Sequence, residues 1–259
     1  MTAIVGDGGA SGALRAEGVR LRVVCNRDEL DTRRPALPPS MRVIGDRRVV
    51  MPIDPESGGT WIAANDAGLV FVLLNVNAES VLTSGRRSRG TIIPALADCT
   101  TVTTAARRAR DLGLHEMRPF RLLVLDDHEL AECWLDGARL RHRRGRLERP
   151  VMRTSSGLGD ALVTGPRRAL FRRLFRRPAS LVAAQDAFHT HRWPNRGPVS
   201  VTMQRPGART VSRTIVELGH VAGTLAYSAI ESPRMVTLSV PLTSGSHTPR
   251  NTSPSESAS

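Results

Sequence analysis

The sequence contains no lysine: all 37 of its basic residues are arginine. Set against 24 acidic residues, they give a net charge of +13. A charge of that size ordinarily points to nucleic acid or an acidic surface. Here the use of one basic residue along the whole chain reads as a compositional bias rather than a face built for a partner. Aromatic residues make up only 3%, too few to offer successive bases a stacking platform. Both features argue against nucleic acid as the partner. Cysteines are few and far apart (Cys25, Cys99 and Cys133). They suggest neither a disulfide framework nor a zinc site, and they suit a reducing compartment, so a cytoplasmic location is expected. No apolar run approaches the length of a membrane-spanning helix. The start, MTAIVGDGGASG, lacks the basic residues and the apolar stretch of a signal peptide.

What is present is ordinary for a globular protein. The chain has 259 residues, 40% of them hydrophobic and 24% charged, enough for one sizeable core. Residues 1–242 read as a single domain. The polar segment 243–259 reads as a disordered tail.

Hydrophobic patterning gives roughly nine or ten strands and two or three helices. Thr2–Val5 and Val19–Val24 flank the glycine-rich GDGGASG and read as a hairpin. Thr60–Ala64 pairs with Leu69–Val76 around an Asn-Asp-Ala-Gly turn, and a third hairpin turns at Asp126–Glu129. Helices are expected over Thr91–Leu112, stopped at Gly113, and from about Pro166 to Arg177. PVSVTMQ, RTVSRTIVEL, GTLAYSAI and RMVTLSVPL read as further strands, and SVLTSGRRSRG as a polar loop. Strands grouped in hairpins, with helices between the groups, favour antiparallel sheets covered by helices.

One strand ends unusually. LRVVC runs into Asn26-Arg27-Asp28-Glu29, an amide, a guanidinium and two carboxylates in succession. With GGTW, LLN, SRG, SGLGDALVTGPRRALF and GARTVSRT following in order, the chain resembles the NRDE family, also called the transport and Golgi organisation two family. That family is similar to N-terminal-nucleophile hydrolases. The resemblance implies an α+β fold, a four-layer αββα sandwich of two antiparallel sheets between helices.

In such hydrolases the first residue of the mature chain attacks an amide carbonyl, with its own α-amine as base. The resemblance places Thr2 at that position once Met1 is removed. It implies Asn75 and Asp160 at the oxyanion positions, and Asn26, Arg27, Asp28 and Arg209 as substrate-binding residues. No metal and no required cofactor are implied.

Two positions depart from the pattern. Thr2 stands where the family has cysteine. Asp160 stands where it has asparagine, and an ionised carboxylate repels a developing oxyanion. Both point away from efficient hydrolysis. The leading expectation is therefore a protein that binds a small anionic ligand in the cleft. Haem and acyl-CoA-like molecules are the ligands the resemblance suggests, because their propionates and phosphates suit arginine. The alternative is an amide hydrolase using Thr2. A nucleic-acid-binding protein is a distant third.

Three other features read as structural. Cys25 suits a small core residue. His189 and His191, two apart in FHTHRW, would share one face of a strand, but no third metal ligand accompanies them. In RRALFRRLFRRP, Leu170, Phe171, Leu174 and Phe175 form one helical face opposite six arginines. That suits a helix packed on a sheet with its arginines in water.

Overall fold

The computed structural model describes residues 1–6, 18–77, 87–114, 117–137, 139–232 and 234–243. The GDGGASG turn beyond Gly6, most of the SVLTSGRRSRG loop and the tail after Thr243 lie outside the described residues.

Among the described residues, fourteen strands form two seven-stranded sheets, each antiparallel. The first contains β1 (Thr2–Val5), β2 (Leu21–Leu30), β10 (Val151–Met152), β11 (Gln204–Arg205), β12 (Ala208–Leu218), β13 (Ala222–Ala229) and β14 (Met235–Pro241). Its order is β10-β1-β2-β12-β13-β14, with β11 paired to β12. The second runs in sequence order through β3 (Leu37–Ile44), β4 (Arg47–Ile53), β5 (Ile62–Asn65), β6 (Val70–Asn75), β7 (Phe120–Leu125), β8 (Glu129–Leu135) and β9 (Leu140–Arg146).

Strand alternation sorts side chains into layers. Val50, Ile62, Val70, Val72 and Leu123 of the second sheet meet Ala3, Val23, Cys25, Val216 and Leu225 of the first between the sheets. The opposite face of the second sheet, with Val49, Phe71, Leu122 and Val124, is covered by α1 (Val102–Asp111). Its middle strands are buried on both faces, which is why VFVLL is an unbroken apolar run. The outer face of the first sheet carries α2 (Asp160–Phe175) and α3 (Leu181–Thr190). Ile4 of β1 packs against Leu181 there. The result is an αββα sandwich, as expected.

Several elements differ from the sequence reading. The helix expected over Thr91–Leu112 is confined to α1, which starts at Thr101, where a capping box with Thr104 supplies the first-turn partners. The helix expected to begin at Pro166 begins at Asp160 and carries Pro166 inside it. PVSVTMQ is not a strand; it holds a 3-10 turn over Gly197–Val199 and leads into the two-residue β11. His189 and His191 are not on a strand: His189 ends α3 and His191 caps it.

Candidate functional site

β2 outruns β1. Thr2 pairs with Val24, and beyond that point β2 continues through Cys25 to Leu30, paired only to β12. The gap left beside β2 is a cleft of about 300 Å³ at one end of the sandwich. Asn26-Arg27-Asp28-Glu29 form one wall, which answers why a buried strand ends in four polar residues. The segment 153–157 forms another wall, and Asn75 at the end of β6, Trp61 just before β5 and Arg89 in the 3-10 turn Arg89–Thr91 complete it.

Met1 closes the inner end. Its α-amine donates to Arg153 O at 2.9 Å. Burial pushes that amine below its usual value, towards the neutral form. Burial likewise pushes the Cys25 thiol up, so it stays protonated. Asp28 is also raised, chiefly by burial, although Thr210 Oγ1 donates to it at 2.5 Å.

The basic residues of the cleft divide by partner. Arg27 pairs with Glu29 at 3.0 Å and lies over the Trp61 ring. Arg33 pairs with Asp54 at 2.5 Å and Arg153 with Glu132 at 2.7 Å. Arg167, only 5% exposed, has no carboxylate partner among the described residues. It donates instead to Val199 O, Thr154 Oγ1, Ser155 O and Ser200 O. Burial lowers its affinity for the proton, yet a guanidinium stays charged in proteins. Arg89 spends one contact on Pro119 O, leaving four of its five N–H donors for a ligand.

Behind the cleft runs a second polar chain. Asn26 Nδ2 donates to His189 O and Val201 O, which turns its Oδ1 towards His189 Nδ1 at 3.1 Å. That arrangement puts the imidazole proton on Nδ1 and leaves Nε2 to accept from Thr2 Oγ1 at 2.9 Å. Burial and nearby cations hold His189 well below its usual pKa, so it is neutral. Gln185 Nε2 donates to Thr2 Oγ1 at 2.8 Å.

Of the residues singled out in the sequence, Asn26, Arg27, Asp28 and Asn75 line the cleft. Three residues do not. The Thr2 side chain is wholly buried on the helix-facing side of β1, because alternation sends Met1 and Ala3, not Thr2, towards the inter-sheet layer. Asp160 stands behind the wall: its carboxylate accepts from Ser156 N and Asn77 N, tying two loops together. Arg209 points away, bound to Asp31 and Glu231 on the surface.

Sequence reasoning missed Arg167, His189 and Gln185 as parts of this region. Arg167 was grouped with water-facing arginines. Its only signal is its place on the helical face of Val163 and Leu170, four and three residues away, where a guanidinium is out of keeping. No group of three or more His, Cys, Asp or Glu able to hold a metal occurs among the described residues.

Two antiparallel sheets between helices, open at one end beside the first strand, define an N-terminal-nucleophile-hydrolase-like fold. A mutant of the conjugated bile acid hydrolase from Clostridium perfringens has a similar fold. It matches with TM-score 0.51 and 11% identity, over 86% of this chain and 89% of that one. The Caenorhabditis elegans ortholog of N-acylethanolamine-hydrolyzing acid amidase matches with TM-score 0.53 and 12% identity, over 83% and 92%. No curated protein sequence matches. The family model described as Transport and Golgi organisation 2 matches residues 13–161, and the chain belongs to that family.

Proposed function

We propose that the cleft binds a small ligand through an anionic head, a carboxylate or phosphate of the kind found on haem propionates and acyl-CoA. The observation that carries this reading is Arg167, a buried cation held by four neutral oxygens. Of the two acids that act on it, Asp28 is pushed towards its neutral form and Asp160 lies behind the wall, bonded to Ser156 N and Asn77 N. The cleft wall therefore keeps a cation that no carboxylate pairs with among the described residues. Arg167 supplies the field and Arg89 supplies free donors, a division suited to an anion. A volume of about 300 Å³ takes the head of a larger molecule and leaves its body outside.

Titration of haem and of an acyl-CoA, followed by absorbance and calorimetry, tests the reading. Arg89→Ala should weaken binding roughly ten- to a hundredfold, the worth of one to two charge-assisted hydrogen bonds. Equal affinity in wild type and Arg89→Ala would refute it.

A second reading, amide hydrolysis by Thr2 after removal of Met1, is favoured by one observation. Thr2 Oγ1, His189 and Asn26 form a hydroxyl–imidazole–amide chain in which the imidazole is neutral and free to accept the hydroxyl proton. Its cost is position, since the hydroxyl faces away from the cleft. Intact-mass measurement and an amide-substrate screen of wild type and Thr2→Ala test it. Retained Met1, or turnover that survives Thr2→Ala, would refute this second reading.

A further inference from the structure

A second cavity, of about 390 Å³, lies on the outer face of the second sheet, where α1 meets β7, β8 and β9. It shares neither wall nor floor with the inter-sheet core. Small residues create it: Ala106 and Ala109 face the sheet where larger side chains would fill the space. The floor is apolar, made of Leu122, Val124, Ala131 and Cys133. Burial pushes the Cys133 thiol up to about 12, so it is a packing atom there and not a nucleophile.

The rim is of one sign. Arg107 and Arg110 come from α1 and Arg144 from β9, whose alternation turns Arg143, opposite Glu132, to the other face of the sheet. Arg144 donates to Thr103 Oγ1, and none of the three makes a salt bridge among the described residues. The one acidic residue at the cavity, Glu132, has its carboxylate committed to Arg121 and Arg153. Arg110 lies close enough to bias the proton equilibria of both Cys133 and His142, which places its charge above the floor.

We propose that this cavity is a binding site for an apolar carboxylate of medium chain length, with the chain on the Leu122–Cys133 floor and the carboxylate among Arg107, Arg110 and Arg144. Its volume is at the small end of ligand pockets, which span about 300–1,000 Å³. The site is separate from the cleft and does not depend on its function.

Calorimetric titration of the full chain with decanoate tests the proposal. Two variants change the cavity in independent ways. Arg107→Gln with Arg110→Gln removes charge from the rim, and Ala106→Leu fills the space while keeping all three arginines. Thermal unfolding checks that each variant folds. The titrations are made in an Arg89→Ala background, which removes the donors offered to a carboxylate in the cleft, and there each cavity variant should weaken decanoate binding at least tenfold. Decanol should bind at least tenfold more weakly than decanoate, and acetate should not compete. Decanoate binding that survives both cavity variants, decanol binding as tightly as decanoate, or displacement by acetate would overturn the proposal.

Discussion

Arg22 and Arg167 both reach the helix layer over the first sheet, both almost closed to water, yet they are surrounded differently. Arg22 bonds Asp186 at 2.7 Å and Glu217 at 2.9 Å, and donates to Gln185 Oε1 at 2.7 Å. Its charge is balanced on the spot, and its work is to fasten α3 to β2 and β12. Arg167 bonds only neutral oxygens, so its charge extends into the cleft. A buried ion matched by carboxylates acts as a clamp. One matched by carbonyls keeps its field for a ligand.

The largest effect expected from breaking this contrast is on stability. Arg22→Ala should cost about 3 kcal/mol, the low end for removing one member of a buried pair, since Asp186 and Glu217 keep part of their water. Urea denaturation measures it, and ligand affinity should not change. A shift in affinity equal to that of Arg89→Ala would mean that Arg22 also feeds the cleft.

Asp160→Ala should cost about 1–2 kcal/mol, because two backbone N–H groups lose their acceptor. Limited proteolysis should then cut sooner near residues 155–157. Unchanged stability would remove Asp160 from the structural role assigned to it.

His189 sharpens the comparison through pH. Its folded pKa lies well below 6.5, whereas the unfolded imidazole titrates near 6.5. The stability it contributes is therefore complete above about pH 6.5 and declines as the pH falls below that value. His189→Gln should flatten this acid slope between about pH 6.5 and 5. Denaturation curves with the same slope in both proteins would contradict the buried neutral imidazole. The smallest effect belongs to Arg209→Ala. Its pairs with Asp31 and Glu231 are exposed, and such pairs are worth about 0–1 kcal/mol. It should leave ligand binding intact.

Where period and pairing decide structure, the sequence was legible. The hairpins and both fully buried strands β6 and β7 follow from alternation and apolar runs. The NRDE segment marked the cleft wall because four polar residues at a strand end have few other uses. The misses have physical causes. β3 was hidden because an edge strand tolerates Pro38, Pro39 and Arg42, and β4 beside it because it opens on Arg47-Arg48 and carries Pro52 near its end. Thr2 was misplaced because the facing of β1 depends on its register with β2, which one residue of slip would invert. Arg209 and Arg167 exchanged roles because only the apolar flank of Val163 and Leu170 sets an arginine bound to carbonyls apart from one bound to two surface carboxylates.

The ladder between β12 and β2 shifts between Thr210 and Ser212, with Val211 as the additional residue. Thr210 therefore stands opposite Asp28 while Ser212 stands opposite Arg27, so the alternate hydroxyls of one strand serve two different layers. This gives the strand a particular tolerance to length change. Loss of Val211 would restore an unbroken ladder and leave Thr210 facing Asp28, at the cost of the bond that Val211 O accepts from Ile230 N. Loss of Arg213, two residues later, would turn every side chain on one flank of the strand to the wrong face. Single-residue deletions scanned along β12 should therefore be survivable at one position and ruinous on the C-terminal side of it.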